Sequence, residues 1–395
     1  MVDDQDDDDL FVAAFLDPDH SEIIAAADWA AKYLVRRDSF DRSVWSTAAE
    51  GGYLGIHMPL HVGGSGASPV RALMAFEGLG RGADDFGMVF SLASQLFATQ
   101  SAIVEGGTPE QISQWLPPLV SGDKIMAFAM SEPDAGSDTG SITTTALPHG
   151  DRYRIAGTKT WTTLAPVADE ALVFANTDPS KGRWGITAFR VPLDLPGVVV
   201  GKPIEKMGMG SCPFGEIHFD DVEVGPEAVL GAVGAGQRIF AAAVEIERAF
   251  LYAAQLGRMR RLVDLMIERS RQREQFGKPI GQYQGVSHRI VDAMAELEAA
   301  RLLVYKAAAL YERRRPIGMA SALAKLRVSE KAVEVAVSAM RVFGAEGYVT
   351  EVGIESEIRD ALAGLAYSGT SEIQKNIVAG LAAIGRPVRR ASRGE

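Results

Sequence analysis

The spacing of apolar positions changes character twice along the chain. From Pro18 to about Gly122 apolar residues recur every three or four positions, as in "EIIAAADWAAKYLVRR" and "VRALMAFEGLGR", which predicts helices with one buried face. "LHVGGSGAS" between them reads as a Gly/Ser loop. From about Lys124 the runs shorten to "IMAFAMSE", "YRIAGTKTWTT", "EALVFANTD", "WGITAFRVP", "GVVVGKPIEKMG" and "GEIHFDDVEV", separated by Gly, Pro, Asp and Asn. They predict an antiparallel sheet or barrel. After about Gly236 the helical spacing returns. "GQRIFAAAVEIERAFLYAAQLGRMRRLVDLMIERSRQREQF" contains no proline, and "YQGVSHRIVDAMAELEAARLLVYKAAALYERRR" and "ASALAKLRVSEKAVEVAVSAMRVFGAEG" are two more long helices. With a closing helix after Gly369 they predict a four-helix bundle. The predicted fold class is therefore mainly α with a central β domain. An acidic tail covers 1–10, a helical domain 11–123, the β domain 124–235 and the bundle 236–395.

At 395 residues, 47% hydrophobic and 23% charged, the chain has room for two or three cored domains. No apolar run is expected to reach the length of a transmembrane helix, so no membrane partner is expected. "MVDDQDDDDL" lacks the basic and apolar regions of a secretory signal and reads as a disordered acidic tail. Six acidic residues of this tail contribute to the formal charge of −11. The remaining body is only mildly acidic, which argues against a nucleic-acid partner. Cys212 is the single cysteine, so neither a disulfide framework nor a cysteine metal site is expected, and a reducing cytoplasm is the simplest location.

Two places carry candidate chemistry. In "LAYSGTSEI" (365–373) the chain turns at Gly369 into a helix with Thr370 and Ser371 as capping residues and Glu372 in the first turn. Such a helix start suits a phosphate, and Ser368 sits where a turn could present a reactive side chain. The second place is Glu247. Its helical neighbours Ala243, Val244, Phe250 and Leu251 are all apolar, a costly setting for a carboxylate unless it is paired or functional. A salt bridge to a remote cation is the bland alternative. Glu245 has a mixed face and reads as a surface or ligand-edge carboxylate.

Four segments then resemble one family in its own order: "FAMSEPDAGSD" (128–138), "KTWTT" (159–163), "REQFGKPIGQYQ" (273–284), and "VFGAEGY" with "EIRDALAGLAYSGTSEIQ" (342–348, 357–374). The chain resembles the acyl-CoA dehydrogenases, FAD flavoproteins, over nearly its whole length. That resemblance implies oxidation of an acyl thioester to its α,β-enoyl product: a base removes the α-proton while the β-hydrogen leaves as hydride to the flavin. Many members keep the catalytic Glu at the position of Ser368. A subset similar to isovaleryl-CoA dehydrogenase keeps it on the first long helix of the C-terminal domain before an Arg, here Glu247-Arg248. The resemblance leaves Ser368 a backbone role, its N–H holding the thioester oxygen.

The resemblance further implies FAD contacts at Phe128, Met130, Ser131, Ser137, Trp161, Thr163, Thr370 and Glu372. It implies contacts to the FAD of a neighbouring subunit at Arg273, Gln275 and Phe276, and further FAD contacts at Gln284, Arg341, Gly344 and Ala345. It lays Ser137, Glu245, Arg248, Leu251, Tyr367 and Gly369 along the substrate. Phe250 and Leu251 beside Glu247 favour a short or branched acyl group. Arg341 and Ala345 depart from the family's usual Gln and Gly, and "TTLAPVAD" departs after the Trp motif. A homotetramer and an electron-transfer flavoprotein or other electron acceptor are the implied partners. The same chemistry on an acyl or prolyl group tethered to a carrier protein is the alternative. A flavin oxidase or monooxygenase, and a binding protein without a base, are lesser ones.

Overall fold

A computed structural model describes residues 19–385; the acidic tail at 1–10 lies outside the described residues. Among the described residues the first four helices are α1 (Ser21–Tyr33), α2 (Arg42–Glu50), α3 (Pro69–Gly82) and α4 (Phe86–Ser94). A π-helical segment, Gln95–Gln100, joins α4 to α5 (Ser101–Gly106), and α6 (Pro109–Trp115) and α7 (Pro117–Val120) follow. Polar caps start these helices where the sequence supplies them. Asp41 accepts from Ser43 N, Ser68 from Arg71 N, and Thr108 with Gln111 forms a capping box.

One expectation is corrected here. The run Phe86–Gly106, 21 residues, is long and apolar enough to cross a membrane. It is 89% buried inside the fold, so the protein's own core takes the place of lipid. Phe97, for example, packs edge-on to both Phe76 and Phe250.

Seven strands form the central sheet: β1 (Met126–Ala129), β2 (Thr145–His149), β3 (Arg152–Thr163), β4 (Glu170–Asn176), β5 (Ile186–Pro192), β6 (Val198–Val200) and β7 (Phe214–Val224). Their order is β1-β4-β2-β3-β7-β6, with β5 also on β4. The long pairs β2–β3, β3–β7 and β4–β5 are antiparallel, and β1 joins β4 in parallel. The apolar pattern does not predict β2.

The proline-free run is two helices, not one: α8 (Gly236–Phe250) and α9 (Tyr252–Gln272) meet at Leu251, whose backbone stays right-handed helical. The helix also stops earlier than its pattern predicts. Residues 274–279 turn back as a hairpin, β8 (Glu274–Gln275) with β9 (Lys278–Pro279), through Phe276 at φ 52° and Gly277 at φ 79°. α10 (Gln284–Glu312) and α11 (Gly318–Phe343) follow. A short helix absent from the four-helix reading, α12 (Ile354–Ala363), precedes the closing α13 (Ser371–Leu381).

The first and last helical parts are pinned by a buried charge cluster. Glu77 of α3 (2% exposed) accepts from Arg301 Nε at 2.7 Å and from Tyr305 Oη at 2.6 Å, both on α10. Such a buried pair is far more costly to break than to omit.

Candidate active site

The cleft of interest lies between the sheet and α8. Phe128, Met130, Ser131, Ser137, Thr160 and Trp161 line it from the sheet side. Phe240, Val244, Glu247 and Arg248, one stripe of α8, face them, and Ser368, Gly369 and Ile373 close one end. A helical stripe at 240, 244, 247 and 248 follows from the 3.6-residue repeat. Phe240 and Val244 could have been read from Glu247 by that spacing alone.

Trp161 owes its position to a β-bulge. Lys159 pairs with Ile217 and Thr162 with Gly215, so Thr160 and Trp161 together oppose the single Glu216. A bulge re-aims a side chain. Trp161 takes φ 54° and stands 59% exposed.

Across the cleft the turn 364–369 is held by its carbonyls. Tyr252 Oη donates to Gly364 O at 2.8 Å, and Arg248 Nε to Ser368 O at 3.3 Å. Gln374 Nε2 donates to the carbonyls of Ser368 and Gly369 at 3.1 and 3.0 Å. Gly369 sits at φ 88°, in the left-handed region that favours glycine. Ser368 adopts φ 55° without being glycine, a strained conformation of the kind found at functional sites. Its N–H has no hydrogen-bond acceptor among the described residues.

The Ser368 hydroxyl donates to Glu247 Oε1 at 2.6 Å. Glu247 keeps part of its surface open to the cleft and is otherwise enclosed by protein. Burial pushes its carboxyl above the ordinary range; the Ser368 hydrogen bond and the Arg248 charge pull the other way. Tyr367, next in the chain, stacks edge-on to Phe90 at 4.7 Å and lies 5.3 Å from the Tyr252 ring.

Other expected residues lie elsewhere. Thr163 ends β3, half-buried and outside the lining. Thr370 caps α13, accepting from Ile373 N, and Glu372 is exposed in that first turn. Leu251 is 2% exposed within the core. Glu245 faces a different cleft on the opposite side of α8, beside His57, Glu105 and Tyr311. Arg273 caps the end of α9, Gln275 and Phe276 sit on the β8–β9 hairpin, with Phe276 94% exposed, and Gln284 opens α10. Arg341 is in the last turn of α11, and Gly344 and Ala345 lie in the turn after it. Arg269 of α9 bridges to Glu346 at 2.7 Å, tying that turn to the helix that leads into the hairpin. None of this second group lines the cleft.

The cleft fits FAD on its own features. An indole held out of its sheet offers a flat stacking face to a planar ring, and the unpaired Ser368 N–H offers a donor. Fold and cleft define a site for a planar redox cofactor set opposite a largely enclosed carboxylate, the arrangement of an oxidoreductase.

Three family profiles match along the chain: acyl-CoA dehydrogenase N-terminal domain over residues 19–123, middle domain over 127–222 and C-terminal domain over 234–382. An L-prolyl-[peptidyl-carrier protein] dehydrogenase of Pseudomonas fluorescens is 39% identical over 341 residues, 86% of this chain and 90% of the relative. The solved structure of PigA with FAD and proline superposes with a TM-score of 0.90 at 32% identity, covering 93% of this chain and 98% of that one. Butyryl-CoA dehydrogenase from Megasphaera elsdenii superposes with a TM-score of 0.89 at 32% identity, with the same coverage. The chain belongs to the acyl-CoA dehydrogenase family.

Proposed function

We propose that this protein oxidises a compact acyl thioester, with a prolyl-type group on a carrier protein as the leading substrate, and that Glu247 is the base. The observation that carries the reading is the Glu247 carboxylate, desolvated in the cleft and 2.6 Å from Ser368 Oγ. A carboxyl raised towards neutrality is suited to take a carbon-bound proton. Arg248 and Ser368 keep the carboxylate aimed, and the free N–H of Ser368 polarises the thioester carbonyl as charge develops on its oxygen. FAD, when bound, supplies the acceptor for the hydride that leaves the β-carbon.

Tyr252 and Tyr367, both within reach of the Glu247 charge, lie 5.3 Å apart, and Phe90 packs edge-on to Tyr367 at 4.7 Å; this aromatic cluster is read as the end of the acyl pocket. It favours a ring or short branch over a long chain. The likeness to the prolyl-carrier dehydrogenase and to the proline-bound structure supports a carrier-tethered prolyl group. A second reading keeps the chemistry on CoA and is favoured by the likeness to butyryl-CoA dehydrogenase. The same reading includes a homotetramer whose neighbouring subunits cover the exposed Phe276 hairpin, reoxidation by an electron-transfer flavoprotein or similar acceptor, and a cytoplasmic location.

Anaerobic flavin bleaching tests the reading across prolyl-carrier, prolyl-CoA, butyryl-CoA, isovaleryl-CoA and octanoyl-CoA. Bleaching is expected with the compact thioesters and fastest with prolyl-carrier. Fastest bleaching by octanoyl-CoA overturns it.

A further inference from the structure

Behind the sheet side of the cleft lies a charge pair that touches neither the cleft nor Glu247. Glu132 is 3% exposed and Lys159 0%. Lys159 Nζ donates to Glu132 Oε1 at 2.8 Å and to Met130 O at 3.0 Å. Glu132 also accepts from Thr143 N at 2.6 Å, Thr143 Oγ1 at 2.8 Å and Thr144 N at 2.9 Å. The carboxylate is thereby fully satisfied, which a buried charge requires. Charge and hydrogen bonds from Lys159 and the 143–144 segment outweigh its burial and hold its carboxyl down to about 2.

The pair joins three backbone segments that meet at the cleft. The first is 130–132, whose Met130 and Ser131 line it. The second is 143–144, which leads into β2. The third is β3 at Lys159, immediately before the bulge that presents Trp161. Thr160 N closes the circuit by donating to Ser131 O at 2.9 Å. Gly157 permits the close approach of β3 to this hub: at φ 143°, a Cβ there would lie 2.6 Å from Thr144 Oγ1. A less costly apolar pair could fill the same volume. What an apolar pair could not do is hold the Met130 carbonyl back from the cleft and fix the 130–131 backbone against the root of the bulge.

We propose that Glu132 and Lys159 are positioning residues for FAD. They set the spacing between the Met130–Ser131 backbone and the Trp161 indole, two of the groups that line the cleft from the sheet side. This rests on the assignment of the cleft to FAD and is independent of the substrate.

The test uses the full chain stripped of FAD, then titrated with it. K159M/E132Q removes both charges together, so no buried charge is stranded; the Gln oxygen, placed as Oε2, still accepts from Thr143 N and Oγ1, while Thr144 N loses its acceptor. The double variant without FAD is expected to stay folded and to melt a few degrees below the wild type, because Thr144 N and Met130 O lose partners. Its FAD dissociation constant is expected to rise roughly tenfold, the worth of one charge-assisted hydrogen bond, and its bound-flavin absorption to move towards that of free FAD. T143V, which keeps both charges and removes one donor to Glu132, is expected to raise the constant by about two- to threefold. Folded variants with wild-type FAD affinity and flavin spectrum overturn the proposal and leave the pair a structural one. Failure of the wild type itself to bind FAD would instead refute the cleft assignment.

Discussion

Ser368 donates its hydroxyl proton to Glu247 Oε1 at 2.6 Å while its own carbonyl accepts from Arg248 Nε at 3.3 Å. One residue of the turn thus grips the carboxylate with its side chain and is gripped through its backbone by the next residue of α8. The hydrogen bond stabilises the ionised carboxylate and opposes the effect of burial. S368A removes it, so the Glu247 pKa moves further up. A base must be deprotonated to act, so the rising acid limb of the kcat/KM–pH profile is expected to shift to higher pH in S368A. The plateau rate is expected to stay within a few-fold of the wild type. A profile unchanged on the acid side would contradict this coupling.

Stability should carry the same signature. Glu247 has a folded-state pKa above its unfolded value. Its protonated form is favoured by folding, so its contribution is fully present below the unfolded pKa and is lost as pH rises through the folded pKa. E247Q keeps the hydrogen-bonding shape without the charge. The FAD-free variant is expected to melt above the wild type at pH 8, with the gap closing below about pH 4, the ordinary carboxyl range. Thermal melts across that range check it, and a variant less stable than the wild type at pH 8 would contradict it.

Phe90 packs edge-on to Tyr367 at 4.7 Å and, on the proposed reading, backs the acyl pocket. F90A is expected to extend the acyl range, so that hexanoyl and octanoyl thioesters gain turnover relative to the compact substrate. Phe90 is 6% exposed, so the cavity is expected to cost about 3 kcal/mol of stability. Relative kcat/KM across chain length, with a denaturant melt, reads both effects.

The Glu77–Arg301–Tyr305 cluster ties α3 to α10. R301M leaves Glu77 buried without its cation and is expected to cost about 3–5 kcal/mol. Replacing the pair by E77L/R301M is expected to recover much of that loss. A denaturant double-mutant cycle measures the difference.

Much of the site is legible in the sequence, and for identifiable reasons. Glu247 stands out because four apolar helical neighbours make a carboxylate anomalous. Thr370 is readable as a cap because capping chemistry is local, and its side chain does accept from Ile373 N. What stays hidden depends on contacts between distant segments. The Ser368–Glu247 bond spans 121 positions, and no local pattern assigns the Ser368 side chain that role. Glu245 shares a helix with Glu247 yet opens to another cleft, because two residues along a helix turn the side chain through about 200°. The stop of α9 at Gln272 is invisible in the pattern because no proline marks it; the turn at Phe276–Gly277 ends it instead. The apolar run 86–106 looks the same in composition whether lipid or protein surrounds it, and only the packing of its neighbours decides.

The central claim is that the base stands on α8 at Glu247 and not in the turn at 368. Anaerobic stopped-flow reduction of the E247Q holoenzyme by its thioester substrate tests it most directly. The variant is expected to retain FAD with an unchanged spectrum and to bleach about 100-fold or more slowly than the wild type. Bleaching at the wild-type rate would place the base elsewhere.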